Sequence, residues 1–104
     1  MNPEAIEKMI ENGRDSYEAR LAAGQARRKD GDARRAVEHL EHAVEFDETR
    51  SAAWLELGHA RLGLDDRAGA REAWRRGLEA AERQGDVQAG KMIRVFLKRL
   101  DRDA

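Results

Sequence analysis

Laying positions 17–50 over positions 51–84, so that Tyr17 falls on Ser51 and Arg50 on Gln84, makes ten residues coincide: Ala19/Ala53, Leu21/Leu55, Gly24/Gly58, Ala26/Ala60, Arg27/Arg61, Asp32/Asp66, Ala36/Ala70, Glu38/Glu72, Glu45/Glu79 and Glu48/Glu82. A fixed period of this size means stacked supersecondary units, each burying its apolar face against its neighbour. Within each unit the apolar residues recur at three and four positions and a turn interrupts the middle, so each unit reads as two helices. In the second unit Trp54, Leu57 and Gly58 fall on the first helix, and Ala70, Trp74 and Leu78 on the second. Lys29-Asp30-Gly31-Asp32 supplies a Gly where one helix ends and an N-cap Asp where the next begins. Leu64-Asp65-Asp66 makes the corresponding turn without a Gly. Asn2-Pro3 opens a short leading helix, and Asp15 with Glu18 three residues on reads as a capping box for the next.

Composition agrees with helices. Of 104 residues 39% are charged, and β-branched and aromatic side chains are few beside Ala, Arg, Glu and Leu, which lose little rotamer freedom in a helix. The length suits one domain, residues 1–104, with a modest core. Twenty Lys+Arg against 21 Asp+Glu leave a net charge of −1, so no global field draws the chain to nucleic acid or to anionic membranes, and charged partners are recognised locally. The absence of cysteine excludes disulfides, thiol nucleophiles and thiolate metal sites. No signal peptide is recognisable and no apolar run reaches the roughly 20 residues of a membrane helix, which gives the expectation of a cytoplasmic protein.

The second unit, Trp54-x2-Leu57-Gly58-x2-Arg61 followed by Ala70-x3-Trp74, resembles the tetratricopeptide-repeat (TPR) family. The first unit keeps Gly24, Ala36, Leu40 and Ala43 but has Arg20 at the Trp position and Ala23 at the Leu position. Phe46-Asp47-Glu48 is similar to the family's closing apolar-Asp-Pro with Glu for Pro. The resemblance implies an all-α right-handed superhelix of about six antiparallel helices: a leading helix at 2–13, repeats at 17–50 and 51–84, and a capping helix at 86–101. The close approach of Gly24 to Ala36 and of Gly58 to Ala70 is expected within the two repeats. Ile6, Met9 and Ile10 fall one repeat period before Leu40, Ala43 and Val44, so the leading helix is in register with the second helix of a truncated repeat. With one extra residue in the connection, Ala89, Met92, Ile93 and Phe96 take the first-helix core positions, with Ile93 in place of the Gly.

Catalytic chemistry finds few candidates among three histidines, two serines and one tyrosine; Ser16 and Ser51 precede helical patterns and read as cap or first-turn residues, giving the expectation of no enzyme and no cofactor. His39 and His42 are spaced i, i+3 among Glu38, Glu41 and Glu45, which suits a solvated convex face better than zinc, for which i, i+4 is the helical spacing. Arg27-Arg28-Lys29 and Arg34-Arg35 flank one turn with no interleaved aromatic, which argues against nucleic acid. Trp54 and Trp74 occupy core positions.

By the same resemblance the first helices of successive repeats line a concave groove for a peptide or partner segment. Its expected lining is Leu21, Gln25, Arg28 and Lys29 from the first repeat, Leu55, His59 and Leu62 from the second, and Arg94, Leu97 and Lys98 from the capping helix. An apolar floor with basic edges suits an acidic protein or peptide. The carboxylate clamp of chaperone-adaptor relatives is broken, since Leu21, Gln25 and Glu56 stand where its Lys and Asn residues would be. The alternative reading is a self-associating scaffold without a groove ligand, a monomer or weak homo-oligomer, because two repeats are fewer than the roughly three that usually stand alone.

Overall fold

A computed structural model describes residues 2–103. They form six α-helices: α1 (Pro3–Glu11), α2 (Tyr17–Lys29), α3 (Ala33–Phe46), α4 (Ser51–Gly63), α5 (Arg67–Gln84) and α6 (Val87–Arg102). Each packs against the next, and α2 also meets α4, as α4 meets α6. The result is an all-α helical-repeat fold with α2, α4 and α6 on its inner side and α1, α3 and α5 on its outer side.

Local chemistry sets the helix ends. The Asn2 side chain accepts from Ala5 N at 2.8 Å with Pro3 in the first turn, and Asp32 and Asp66 likewise cap α3 and α5 from Arg35 N and Gly69 N. For α2 the cap lies one position beyond the expected Asp15. Ser16 accepts from Ala19 N at 3.0 Å, while Asp15 holds the Arg20 guanidinium at 2.8 and 2.9 Å. The two mid-repeat turns share a backbone shape: Gly31 has φ 82° and Asp65, its counterpart in the second repeat, has φ 62°. Asp is among the few residues that tolerate this left-handed region, so the second turn closes without a glycine.

The core runs along the helix pairs. Ala36, Leu40, Trp54, Leu57, Ala60 and Ala73 form one buried cluster, and Ala70, Trp74, Ile93 and Leu100 another. The close approaches fall one turn away from the expected partners. A Cβ on Gly24 would stand 2.5 Å from Leu40 Cγ, and one on Gly58 would overlap the Trp74 indole. Leu40 and Trp74, rather than Ala36 and Ala70, fill the space these glycines leave.

The last helix departs from the expected register. α2 and α4 start one repeat period apart, at Tyr17 and Ser51, and a third unit in the same phase would start at Gly85. α6 instead starts at Val87, because α5 runs on to Gln84 before Gly85 ends it at φ 69°. The connection is thus longer by two residues, not one, and each residue turns a helix by roughly 100°. Ile93 therefore takes the place of Leu57 rather than of Gly58; both are fully buried, and Ile93 faces Gly77 of α5. Deleting residues 86–104 would uncover Trp74, Ala70 and Leu78 together. The truncated chain is expected to aggregate, whereas a monomer with cooperative melting would make α6 an appendage rather than part of the core.

Candidate functional site: the concave face

The inner side is built by α2, α4 and α6. From α2 come Leu21 and Gln25, both half-buried, with Lys29 exposed at the far end. Arg28 is tied to α4: its Nε donates to Glu56 Oε2 at 2.7 Å, and the Glu56 side chain is only 15% exposed. From α4, Leu55 and Leu62 pack on the edge of the Trp74–Ile93–Leu100 cluster and keep part of their surface open.

His59 stands at the centre. Its ring lies edge-on to Trp74 at 5.3 Å and to Phe96 at 4.5 Å, and Trp74 stacks on Phe96 at 5.5 Å. A cavity of about 220 Å³ opens beside these rings and is also lined by Leu62, Leu100 and Arg99. Burial pushes the His59 imidazole below its usual value; the nearby Arg28 charge adds to this and Glu56 opposes it. Protonation of His59, which would add charge to the groove, is therefore displaced below the usual imidazole titration.

The altered register of α6 changes which of its residues reach this face. Phe96 stands against His59. Arg94 donates from Nη2 to Glu82 Oε2 of α5 at 2.9 Å, and Leu97 packs on the cluster of Ala70, Trp74, Ile93 and Leu100. Lys98 is exposed and makes no ion pair among the described residues, and the same holds for Lys29. Met92, expected at a core position, is instead 48% exposed because the register has shifted, and with Val95 at 45% it forms open apolar surface on α6.

A second polar constellation lies between α1, α2 and α3, and here the expected solvated role of His39 is overturned. His39 is buried. Arg20 Nη1 lies 3.1 Å from its Nδ1, and its Nε2 lies 2.7 Å from Glu7 Oε2. A guanidinium only donates, so Nδ1 is the acceptor and the ring proton sits on Nε2, where it is donated to Glu7. Glu7 also accepts from Arg27 Nε at 2.9 Å and from Nη2. Both ring nitrogens are therefore committed within the chain, and of the pair only His42 is exposed. The ion pair recurs with the repeat: Glu7–Arg27 joins α1 to α2, and Glu41–Arg61, each residue one period later, joins α3 to α4 at 3.3 Å.

These groups give stability two pH windows. The Arg27 hydrogen bond outweighs desolvation and, helped by His39, holds the Glu7 carboxyl down at about 2 against an unperturbed 4.5. A depressed acid stabilises the fold above its unfolded value and loses that contribution as pH falls from about 4.5 towards about 2. For His59 the folded form resists protonation, so its contribution is whole above the ordinary imidazole value and is lost as pH falls below it. Melting curves against pH are expected to show the upper decline vanish in His59→Gln and the lower one shrink in Glu7→Gln. Unchanged profiles in both variants would refute these assignments.

No family model matches the chain. TPR repeat-containing protein PA0015 of Pseudomonas aeruginosa, however, is 48% identical to it over 99 residues, spanning 95% of this chain and 94% of that protein. The chain belongs to the tetratricopeptide-repeat family. The solution structure of protein BPP2914 from Bordetella parapertussis is also similar, at 42% identity and a TM-score of 0.83, with 97% of this chain and 88% of that one covered. TPR membership accounts for the concave face as the inner side of a short repeat array. No described helix is long and apolar enough to cross a membrane.

Proposed function

We propose that the protein is a non-catalytic interaction module whose concave face receives an acidic, partly apolar segment of a partner protein. The observation that carries this reading is the juxtaposition, on one face, of open apolar surface with cations free of ion pairs. Leu21, Leu55, Leu62 and Val95 offer the first, and Lys29, Lys98 and Arg99 the second. Family membership supports protein–protein interaction in general. The disposition of the nucleophile inventory supports the non-catalytic part: Ser16 caps α2, Ser51 opens α4, and both nitrogens of His39 are bonded within the chain.

The lining consists of Leu21, Gln25, Lys29, Leu55, His59 and Leu62, with Phe96, Val95, Lys98 and Arg99 as the α6 wall. Arg28, Arg94 and Leu97 act from behind, through Glu56, Glu82 and the core. Gln25→Glu/Lys29→Glu reverses the charge at the α2 end without touching an ion pair. It is expected to weaken a partner captured from native lysate by more than about tenfold, or 1.4 kcal/mol, with melting unchanged because exposed charges contribute little to stability. The control is His42→Ala on the outer side. A partner lost with His42→Ala and kept with the α2 variant would refute the groove.

A further inference from the structure

Charge in this nearly neutral chain is separated along the sequence and again in space. Residues 37–48 contain five acids and no Lys or Arg, whereas residues 91–102 contain five Lys or Arg and a single acid. The first stretch is most of α3 and the second most of α6, and the two helices do not touch within one chain.

Each stretch presents its charge on the face turned away from the core. On α3, Ala36, Leu40 and Ala43 are buried and Glu38, Glu41 and Glu45 are exposed. Arg34 and Arg35 open the helix, so the acidic stripe starts at Glu38. On α6, Gly90, Ile93 and Leu100 are buried against α5, and Lys91, Lys98 and Arg102 are exposed with Val95 between them. Internal pairing leaves most of this charge unspent. Glu41 reaches Arg61, Arg94 reaches Glu82 and Arg102 lies 3.6 Å from Asp103, but Glu38, Glu45, Lys91 and Lys98 have no ion-pair partner among the described residues.

The spacings match as well. Glu38 and Glu45 are seven residues apart, as are Lys91 and Lys98. Seven residues are two helical turns, about 10 Å, so two antiparallel helices can form both charge pairs at once with Val95 lying between them. α6 is the last described helix of the solenoid, so no further described helix covers this face.

We propose that the exposed face of α6 in one molecule, where Val95 and Lys98 also form the α6 wall of the groove, docks on the acidic stripe of α3 in a second copy of this chain. The contact is heterologous, joining two different patches, so it propagates head to tail. One pair of short helices buries little area, and the association is therefore weak and sensitive to salt. This deepens the groove reading and rests on it at the α6 end, naming the acidic α3 of a second copy as what that end receives.

The test is the weight-average mass by sedimentation equilibrium across protein concentration, at about 20 mM and about 500 mM salt, where screening lengths differ severalfold. The wild type is expected to rise to at least about 1.5 times the mass of one chain at low salt and to return to that of one chain at high salt. Lys91→Glu/Lys98→Glu and Glu38→Lys/Glu45→Lys are each expected to remain single chains. An equimolar mixture of the two variants is expected to associate, because the reversed α6 then meets a reversed α3. A wild type that stays a single chain at every concentration overturns the proposal, including the case in which it captures a foreign acidic protein through Lys91 and Lys98. A mixture that fails to associate overturns the pairing of these two faces. Partner capture by Gln25→Glu/Lys29→Glu reads the groove separately.

Discussion

Trp74→Ala is expected to lower stability by about 3–5 kcal/mol, at the top of the range for truncating a core side chain. Trp74 is 2% exposed and belongs to the cluster of Ala70, Ile93 and Leu100. Its indole N–H donates to the Leu55 carbonyl at 3.0 Å, and its ring stacks on Phe96 and meets His59 edge-on. Removing it therefore opens a cavity at the junction of α4, α5 and α6 and deprives the concave face of its floor. For a domain of this size each kcal/mol is worth about 4–8 °C in Tm, so thermal melting is expected to fall by more than about 12 °C. Since whole domains are stable by only about 5–15 kcal/mol, partial unfolding at room temperature is a further expectation. A loss below about 1 kcal/mol would show that the helix junction does not depend on the indole.

Gly58 gives the second large effect, through the same ring from the other side. A Cβ there would overlap Nε1, Cδ1 and Cε2 of Trp74, far inside the 3.0 Å below which real Cβ contacts essentially do not occur. The indole is enclosed and cannot swing away, so α4 and α5 must separate. Gly58→Ala gains about 1 kcal/mol of helix propensity. Overpacking costs about 1–3 kcal/mol or more and outweighs it. Gly58→Leu is expected to be worse than Gly58→Ala, and Trp74→Phe is expected to rescue part of either loss in a double-mutant cycle. Additive effects of Gly58→Ala and Trp74→Phe would mean that the two residues do not share this contact.

The parts of the fold legible in the sequence are those where a residue type has one physical use. Gly24 and Gly58, the cap residues Asp32 and Asp66, and Trp54 and Trp74 each do what the repeat period implies. The register of α6 is not legible, because it depends on how far α5 continues. The extra turn up to Gln84 and the left-handed Gly85 decide it, and an Ala/Arg/Glu-rich stretch carries no stop signal before that glycine. One residue of error moves the expected Arg94 and Leu97 off the concave face and hides Phe96.

His39 departs from expectation for the opposite reason. Its spacing from His42 draws attention away from its place three residues after Ala36 and four before Ala43, both buried. Helical periodicity alone puts it on the core side. The network around it carries a signal of its own, since Glu7 and Arg27 recur as Glu41 and Arg61 one repeat period later. That recurrence also gives α1 the role of a preceding repeat's second helix.

The central claim is that the concave face is the binding surface. Amide chemical-shift mapping of the isotope-labelled chain against the captured partner segment tests it most directly. The predicted result is a contiguous set of shifts over Gln25, Lys29, His59, Leu62, Val95 and Phe96, with the outer residues of α3 and α5 unmoved. Shifts confined to Glu38, His42, Glu72 and Glu79 on the outer side, with His59 and Phe96 silent, would contradict it.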